Sequence, residues 1–113
     1  MPNPVVHFEI VGKDGGKLQE FYQQAFGWSI NADNPMQYGM VSNGGEGIDG
    51  GITAGDKAEV AIYIQVADLA TALAEVKRRG GRVVQEITEI PGMVTLAKFA
   101  DPEGNVVGLV KAE

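Results

Sequence analysis

His7 and Glu9 are the residues of this chain best suited to chemistry. They are an imidazole and a carboxylate two positions apart, in a run from Val5 to Val11 that sets Val6, Phe8 and Ile10 against Val5, His7, Glu9 and Val11. Strict alternation of this kind marks a strand, and it puts both polar groups on one face, roughly 7 Å apart along the chain direction. His7 is the sole histidine. An imidazole titrating near neutral pH can donate, accept or shuttle a proton, so with Glu9 beside it an acid-base couple is conceivable. The competing role for His7 is that of a hydrogen-bonded structural residue.

The same period-two counting brings further groups to the face that carries His7 and Glu9. Asp49, Gly51 and Thr53 come from one later run, Ala61, Tyr63 and Gln65 from another, and Val106, Gly108 and Val110 from the last. His7, Glu9, Asp49, Tyr63 and Gln65 are therefore the candidate ligand contacts, with His7 and Glu9 the candidates for catalysis. A phenol, an amide, an imidazole and two carboxylates over an apolar floor suit a small polar or cationic molecule. For Tyr63, a packing role as a sheet aromatic competes with this one. Trp28 is expected to pack at a junction between modules rather than to stack on a ligand. Gly51 and Gly108, which lack side chains, are expected to enlarge the cavity.

These groups are positioned by elements that the pattern also announces. After Asp14-Gly15-Gly16, the apolar residues Leu18, Phe21, Tyr22, Ala25 and Phe26 make one helical stripe, and Gly27 supplies a left-handed stop. Three short strands are expected next, at Trp28 to Ile30, Met36 to Val41 and Ile48 to Thr53, separated by Asn34-Pro35 and Asn43-Gly44-Gly45. The order then repeats. Val60 to Val66 alternates as a strand, Asp68 caps a helix carrying Leu69, Ala72, Leu73 and Val76 inward, and Lys77, Arg78 and Arg79 complement its negative end. Gly80 closes that helix, and strands follow at Arg82 to Ile87, Val94 to Phe99 and Val106 to Lys111. The last two are joined by Asp101-Pro102-Glu103-Gly104-Asn105, a sequence that favours a tight hairpin. Two glycine-closed helices about half a chain apart, each followed by three strands, imply an internal duplication, with modules at about 4–53 and 58–113. Each sheet must bury one face under its helix, which leaves the other face partly polar.

Composition narrows the classes of function. The 113 residues suffice for one core, since a domain of this size buries roughly two-thirds of its unfolded surface. With 9 Lys and Arg against 15 Asp and Glu, the formal charge of −6 repels a phosphate backbone, so nucleic acid is not an expected partner. No cysteine is present, which excludes disulfides, thiolate metal sites and a cysteine nucleophile. There is neither a leader pattern at Met1-Pro2-Asn3-Pro4 nor an apolar run approaching the ~20 residues of a membrane span, so a cytoplasmic protein without a membrane partner is expected. The glycine clusters at Gly44-Gly45-Glu46-Gly47 and Gly50-Gly51 lack the Lys-Ser/Thr of a phosphate loop and read as flexible connections.

A histidine in the opening strand, Leu18-Gln19-Glu20-Phe21-Tyr22 leading to Phe26-Gly27-Trp28, the pair Gly80-Gly81, and Asp101-Pro102-Glu103-Gly104-Asn105 before the last strand recur here in a characteristic order. Together they resemble the glyoxalase/bleomycin resistance/dioxygenase proteins of the vicinal oxygen chelate superfamily, over nearly the whole chain. The resemblance implies an α+β fold of two βαβββ modules, with mixed curved sheets around a concave cavity and commonly a homodimer. In metal-dependent members, one position on each of the first, fourth, fifth and eighth strands supplies a ligand. Those positions fall here on His7, on or beside Gly51, on Ala61 and on Gly108, and only His7 can coordinate. A lone imidazole is too little for a catalytic metal, which takes about three protein ligands, so neither metal nor cofactor is expected. An atypical site of His7 with Glu9 and either Asp49 or Glu46 is the remaining route to an ion.

The resulting expectation is a metal-free protein that holds a small organic molecule, possessing or lacking cofactorless activity. A metal-dependent lyase, isomerase or dioxygenase with unusual ligands is the first alternative. An antibiotic-sequestering protein like the bleomycin-binding relatives is the second. Open sheet edges and apolar rims add the expectation of self-association as a homodimer.

Overall fold

The computed structural model describes residues 2–112. The elements run β1 (Val5–Gly12), α1 (Gly15–Phe26), β2 (Ser29–Asn31), β3 (Gly39–Ser42), β4 (Gly50–Ala54), β5 (Glu59–Val66), α2 (Leu69–Arg78), β6 (Arg82–Ile90), β7 (Val94–Ala100) and β8 (Val106–Lys111). The fold class is thus α+β, with the βαβββ order occurring twice. The chain divides into two compact units, one of His7–Ala61 and the other of the residues before His7 and after Ala61.

In the His7–Ala61 unit the strand order is β2-β3-β4-β1. β1 and β4 run parallel with Phe8 beside Gly50, Glu9 beside Gly51 and Ile10 beside Ile52. β3 is antiparallel to both β2 and β4. Ile52, fully buried, and Val41 lie at the centre of this unit. α1 starts at Asp14, whose carboxylate accepts from the Lys17 N–H at 3.0 Å, and ends at Gly27 with φ of 70°. Both caps satisfy groups that the helix itself leaves without partners. The helix is tied to the sheet by Gln19, whose side-chain amide donates to the Ile52 carbonyl at 2.8 Å. At Gly15 a side chain would crowd the Ala54 backbone, so helix and strand come closer than any larger residue permits.

In the second unit the order is β5-β8-β7-β6, with β5 and β8 parallel and the remaining pairs antiparallel. Asp68 caps α2 by accepting from the Thr71 N–H at 2.9 Å. Leu69 and Leu73 face Val66, Ala97 and Leu109, with Ile64, Val83 and Phe99 packed around them. Burying one such leucine contributes about 1.5–3 kcal/mol. The basic end of α2 does more than answer the dipole, because Arg78 and Arg79 both pair with Glu75, at 2.6 and 3.2 Å. The hairpin between β7 and β8 is held by Asp101, which accepts from the backbone of Glu103 and Asn105 and from the Asn105 amide, each at 2.9 Å.

Three boundaries differ from the sequence pattern by two residues or more. β3 begins at Gly39 rather than Met36, because residues 34–38 form a turn in which Gln37 takes a positive φ of 53°. β4 begins at Gly50 rather than Ile48, since Asp49 is engaged with the preceding loop. β6 extends to Ile90 through two register irregularities against β7.

Candidate functional site

β1 presents His7 and Glu9 on one face, and between them stands a residue that period-two counting left out. The Tyr38 hydroxyl donates to Glu9 Oε2 at 3.0 Å and lies 2.8 Å from His7 Nε2. Its ring stacks on the imidazole, with centroids 6.2 Å apart and planes 19° from parallel. The result is a connected chain of imidazole, phenol and carboxylate, all partly buried.

Local sequence explains why Tyr38 is held there. The Asn34 side chain spans the turn and grips the Tyr38 backbone on both sides, donating to its carbonyl at 2.8 Å and accepting from its N–H at 2.9 Å. The ring then lies on Gly51, where any Cβ would overlap it. Gly51 sits directly beside Glu9 in the sheet. The expectation that Gly51 enlarges a cavity is therefore corrected, because the space it leaves is filled by Tyr38.

Asp49 lies one residue before the Phe8–Gly50 pair and is solvent-exposed, with its carboxylate accepting from the Asn43 N–H at 3.0 Å. Its charge still reaches His7. Burial pushes the His7 pKa below its ordinary value, while the negative charges of Glu9 and Asp49 pull in the opposite direction without overcoming it. A neutral imidazole is the consequence near pH 7.

In the second unit, Tyr63 is buried and pairs across the sheet with Gly108, and its ring occupies the volume that a Gly108 side chain would need. Gly108, like Gly51, is thus a floor for an aromatic ring, which corrects its reading as cavity space too. Gln65 lies on the same face of β5 and pairs with Val110. Lys98, also beside Gly108 in the sheet, belongs to this row and was missing from the sequence reading.

Trp28 packs within the His7–Ala61 unit, stacked on Tyr22 at 5.2 Å and tilted against Phe8 at 5.5 Å. With Phe8, Ile10, Ile48 and Val60 it lines an open apolar recess of about 440 Å³. Phe8 and Ile10 alternate with His7 and Glu9, so this recess belongs to the opposite face of β1. Glu46 lines it as well.

The metal implied by the resemblance does not fit these residues. Tyrosine rings lie on Gly51 and Gly108, and Ala61 offers no donor atom. Among the described residues, no group of three His, Asp or Glu side chains is gathered to hold an ion.

Comparison with known proteins accords with this architecture. Residues 5–44 match the family model described as bleomycin resistance protein-like N-terminal. The fold is similar to methylmalonyl-CoA epimerase from Mycobacterium tuberculosis, at 16% identity and a TM-score of 0.71 over 96% of this chain and 87% of that one. It is also similar to a Streptomyces coelicolor methylmalonyl-CoA epimerase variant in complex with 2-nitronate-propionyl-CoA, at 17% identity and a TM-score of 0.68 over 99% of each chain. A glyoxalase/bleomycin resistance protein/dioxygenase superfamily member from Vibrio splendidus gives 15% identity and a TM-score of 0.68 over 98% of this chain and 100% of that one. No curated protein sequence matches the chain significantly. None of the helices among the described residues is long and apolar enough to cross a membrane.

Proposed function

We propose that this chain, a vicinal oxygen chelate protein by its fold and by the match of residues 5–44, binds a small organic molecule at the sheet face carrying His7, Glu9 and Asp49, without the superfamily's usual metal set. The observation that carries this reading is the hydrogen-bonded chain His7–Tyr38–Glu9. A phenol ties up the two best donor groups of the face, and its ring covers the neighbouring strand at Gly51. What remains is a polar, aromatic surface of the kind that orients organic ligands. Within the second unit, Tyr63 and Gln65, on one face of β5, are proposed as ligand contacts of their own.

Metal-dependent lyase, isomerase or dioxygenase chemistry would require His7 and Glu9 to leave Tyr38 and recruit a third donor. The likeness to methylmalonyl-CoA epimerases is one of fold, and that to bleomycin resistance-like proteins covers residues 5–44. An acyl-CoA thioester and a bleomycin-type glycopeptide are accordingly the first two ligands to titrate. Native mass spectrometry of protein purified without chelator or histidine tag tests the reading: a retained organic molecule, lost in His7→Ala and Glu9→Gln, is the expected result. Stoichiometric zinc, nickel or iron would overturn it.

Self-association as a homodimer belongs to the same proposal. Phe21, Phe26 and Val60 are exposed by 58%, 63% and 72%, and the recess between Trp28 and Val60 has Glu46 as its one charged lining residue. An apolar surface carrying so little charge suits isologous pairing with a second copy. Light scattering should give a dimer mass for the wild type and a monomer mass for Val60→Glu. A monomeric wild type at micromolar concentration refutes the pairing.

A further inference from the structure

We propose that Asn43 is a site of self-modification. Its side-chain amide converts in solution to aspartate and isoaspartate, which opens the loop at the rim of the Trp28–Val60 recess and puts a second charge there. This stands apart from the reading of the His7 face, because attacker and target are neighbours in one chain.

Five asparagines are present, and Asn43 alone precedes glycine. The conversion begins when the backbone nitrogen of the following residue attacks the side-chain carbonyl carbon. Asn3 and Asn34 precede proline, which has no N–H to give up. Asn31 lies in β2 and Asn105 runs straight into β8, and the side chains of Ala32 and Val106 crowd the attacking nitrogen. Asn43 lies instead between the end of β3 and the start of β4, followed by Gly44 and Gly45. Both glycines are exposed, with φ of 67° and 88°, and nothing lies within 4 Å of where a Cβ would stand. The backbone after Asn43 therefore has room and freedom to bring nucleophile and amide together.

In the first step the Gly44 nitrogen forms a bond to the Asn43 side-chain carbon, and the bond from that carbon to the amide nitrogen breaks. The Gly44 proton passes through solvent to the departing nitrogen, which leaves as ammonia. Water then opens the cyclic imide at either carbonyl, giving aspartate or its isomer with a lengthened backbone.

The Asn43 amide is a latch, so its loss has a structural effect. It donates to the Ile48 carbonyl, while the Asn43 N–H donates to the Asp49 carboxylate at 3.0 Å. A carboxylate in the amide's place has only lone pairs, so Ile48 loses its donor and Asp49 gains a like charge as neighbour. Asn43, Glu46, Gly47 and Ile48 all line the recess, where Glu46 is otherwise the one charged residue.

Untagged protein held in mildly alkaline buffer at body temperature should accumulate acidic species on ion exchange. Peptide mapping should place the amide-to-acid mass gain and an isoaspartyl linkage at Asn43, with Asn31 and Asn105 unchanged. Asn43→Gln, which must close a larger ring, should keep its amide. Asn43→Asp, checked by thermal melt to be folded, should exchange the backbone amide hydrogen at position 43 about tenfold faster, matching release of its bond to Asp49. Conversion at Asn31 or Asn105 ahead of Asn43, or at none of them, would overturn the assignment. Unchanged exchange in Asn43→Asp would overturn the latch.

Discussion

Tyr38 and Gly51 occupy one volume, the ring of the first lying where the second would carry its side chain. Tyr63 and Gly108 repeat the relationship in the other unit. Glycine weakens a strand because it has little to pack and much entropy to lose, and an aromatic laid across it recovers buried apolar area. In the first pair the arrangement also aims a hydroxyl at His7 and Glu9.

Gly51→Ala should therefore be destabilising out of proportion to one methyl group. Forcing a carbon into the ring's place is overpacking, which costs about 1–3 kcal/mol. Urea titration should show a lower midpoint. The histidine spectrum should move toward that of Tyr38→Phe as the phenol is displaced. An unchanged midpoint would mean that the ring moves aside at no cost.

Asn34→Ala should loosen Tyr38 without touching it. Two side-chain hydrogen bonds to the Tyr38 backbone are lost, each with a net contribution of about 0.5–1.5 kcal/mol. Amide exchange at Tyr38 should quicken, and the His7 ring resonances should shift. Should only the first change, the turn and the phenol are independent.

Glu9→Gln should lower the His7 pKa further. Burial already holds it below 6.5, and the Glu9 charge is the larger of the two opposing influences, ahead of Asp49. Asp49→Asn should act in the same direction by a smaller amount. The histidine ring resonances, followed against pH, report both. A rise in either variant would contradict the assigned charges.

The same depressed pKa links stability to acidity. A histidine that binds its proton less readily folded than unfolded favours the folded state at higher pH. Its contribution is complete above the ordinary value of 6.5 and is lost as the pH falls through the lower folded value. The slope from this one group cannot exceed about 1.4 kcal/mol per pH unit. Denaturant midpoints from pH 7.5 to pH 5 should fall more for the wild type than for His7→Gln, and parallel curves would remove His7 as a cause.

The elements were legible wherever a local pattern determines them. The stripe from Leu18 to Phe26, the Asp68 cap and the Asp101–Asn105 hairpin all follow from neighbours in sequence, and all occur. His7 and Glu9 share a face as alternation requires. Tyr38 escaped the same reasoning because the pattern set it inside a strand from Met36, whereas it precedes β3, in a turn where alternation has no meaning. Its orientation is set by Asn34 and by a glycine on another strand. One signal was available in Gly51, since a strand glycine marks close approach by something else as readily as empty space.

The parallel pairing of β1 with β4 has a consequence for how the molecule is made. β2 and β3 can zip together as near neighbours, but Phe8 must wait for Gly50, the far end of the same module, before its edge is satisfied. Closing so long a loop comes at an entropic cost before any contact rewards it, which slows acquisition of the native state. As the nascent chain leaves the ribosome, the first module remains an open hairpin and helix until its closing strand emerges. Until then, the backbone edge of β1 that β4 covers stays without that strand.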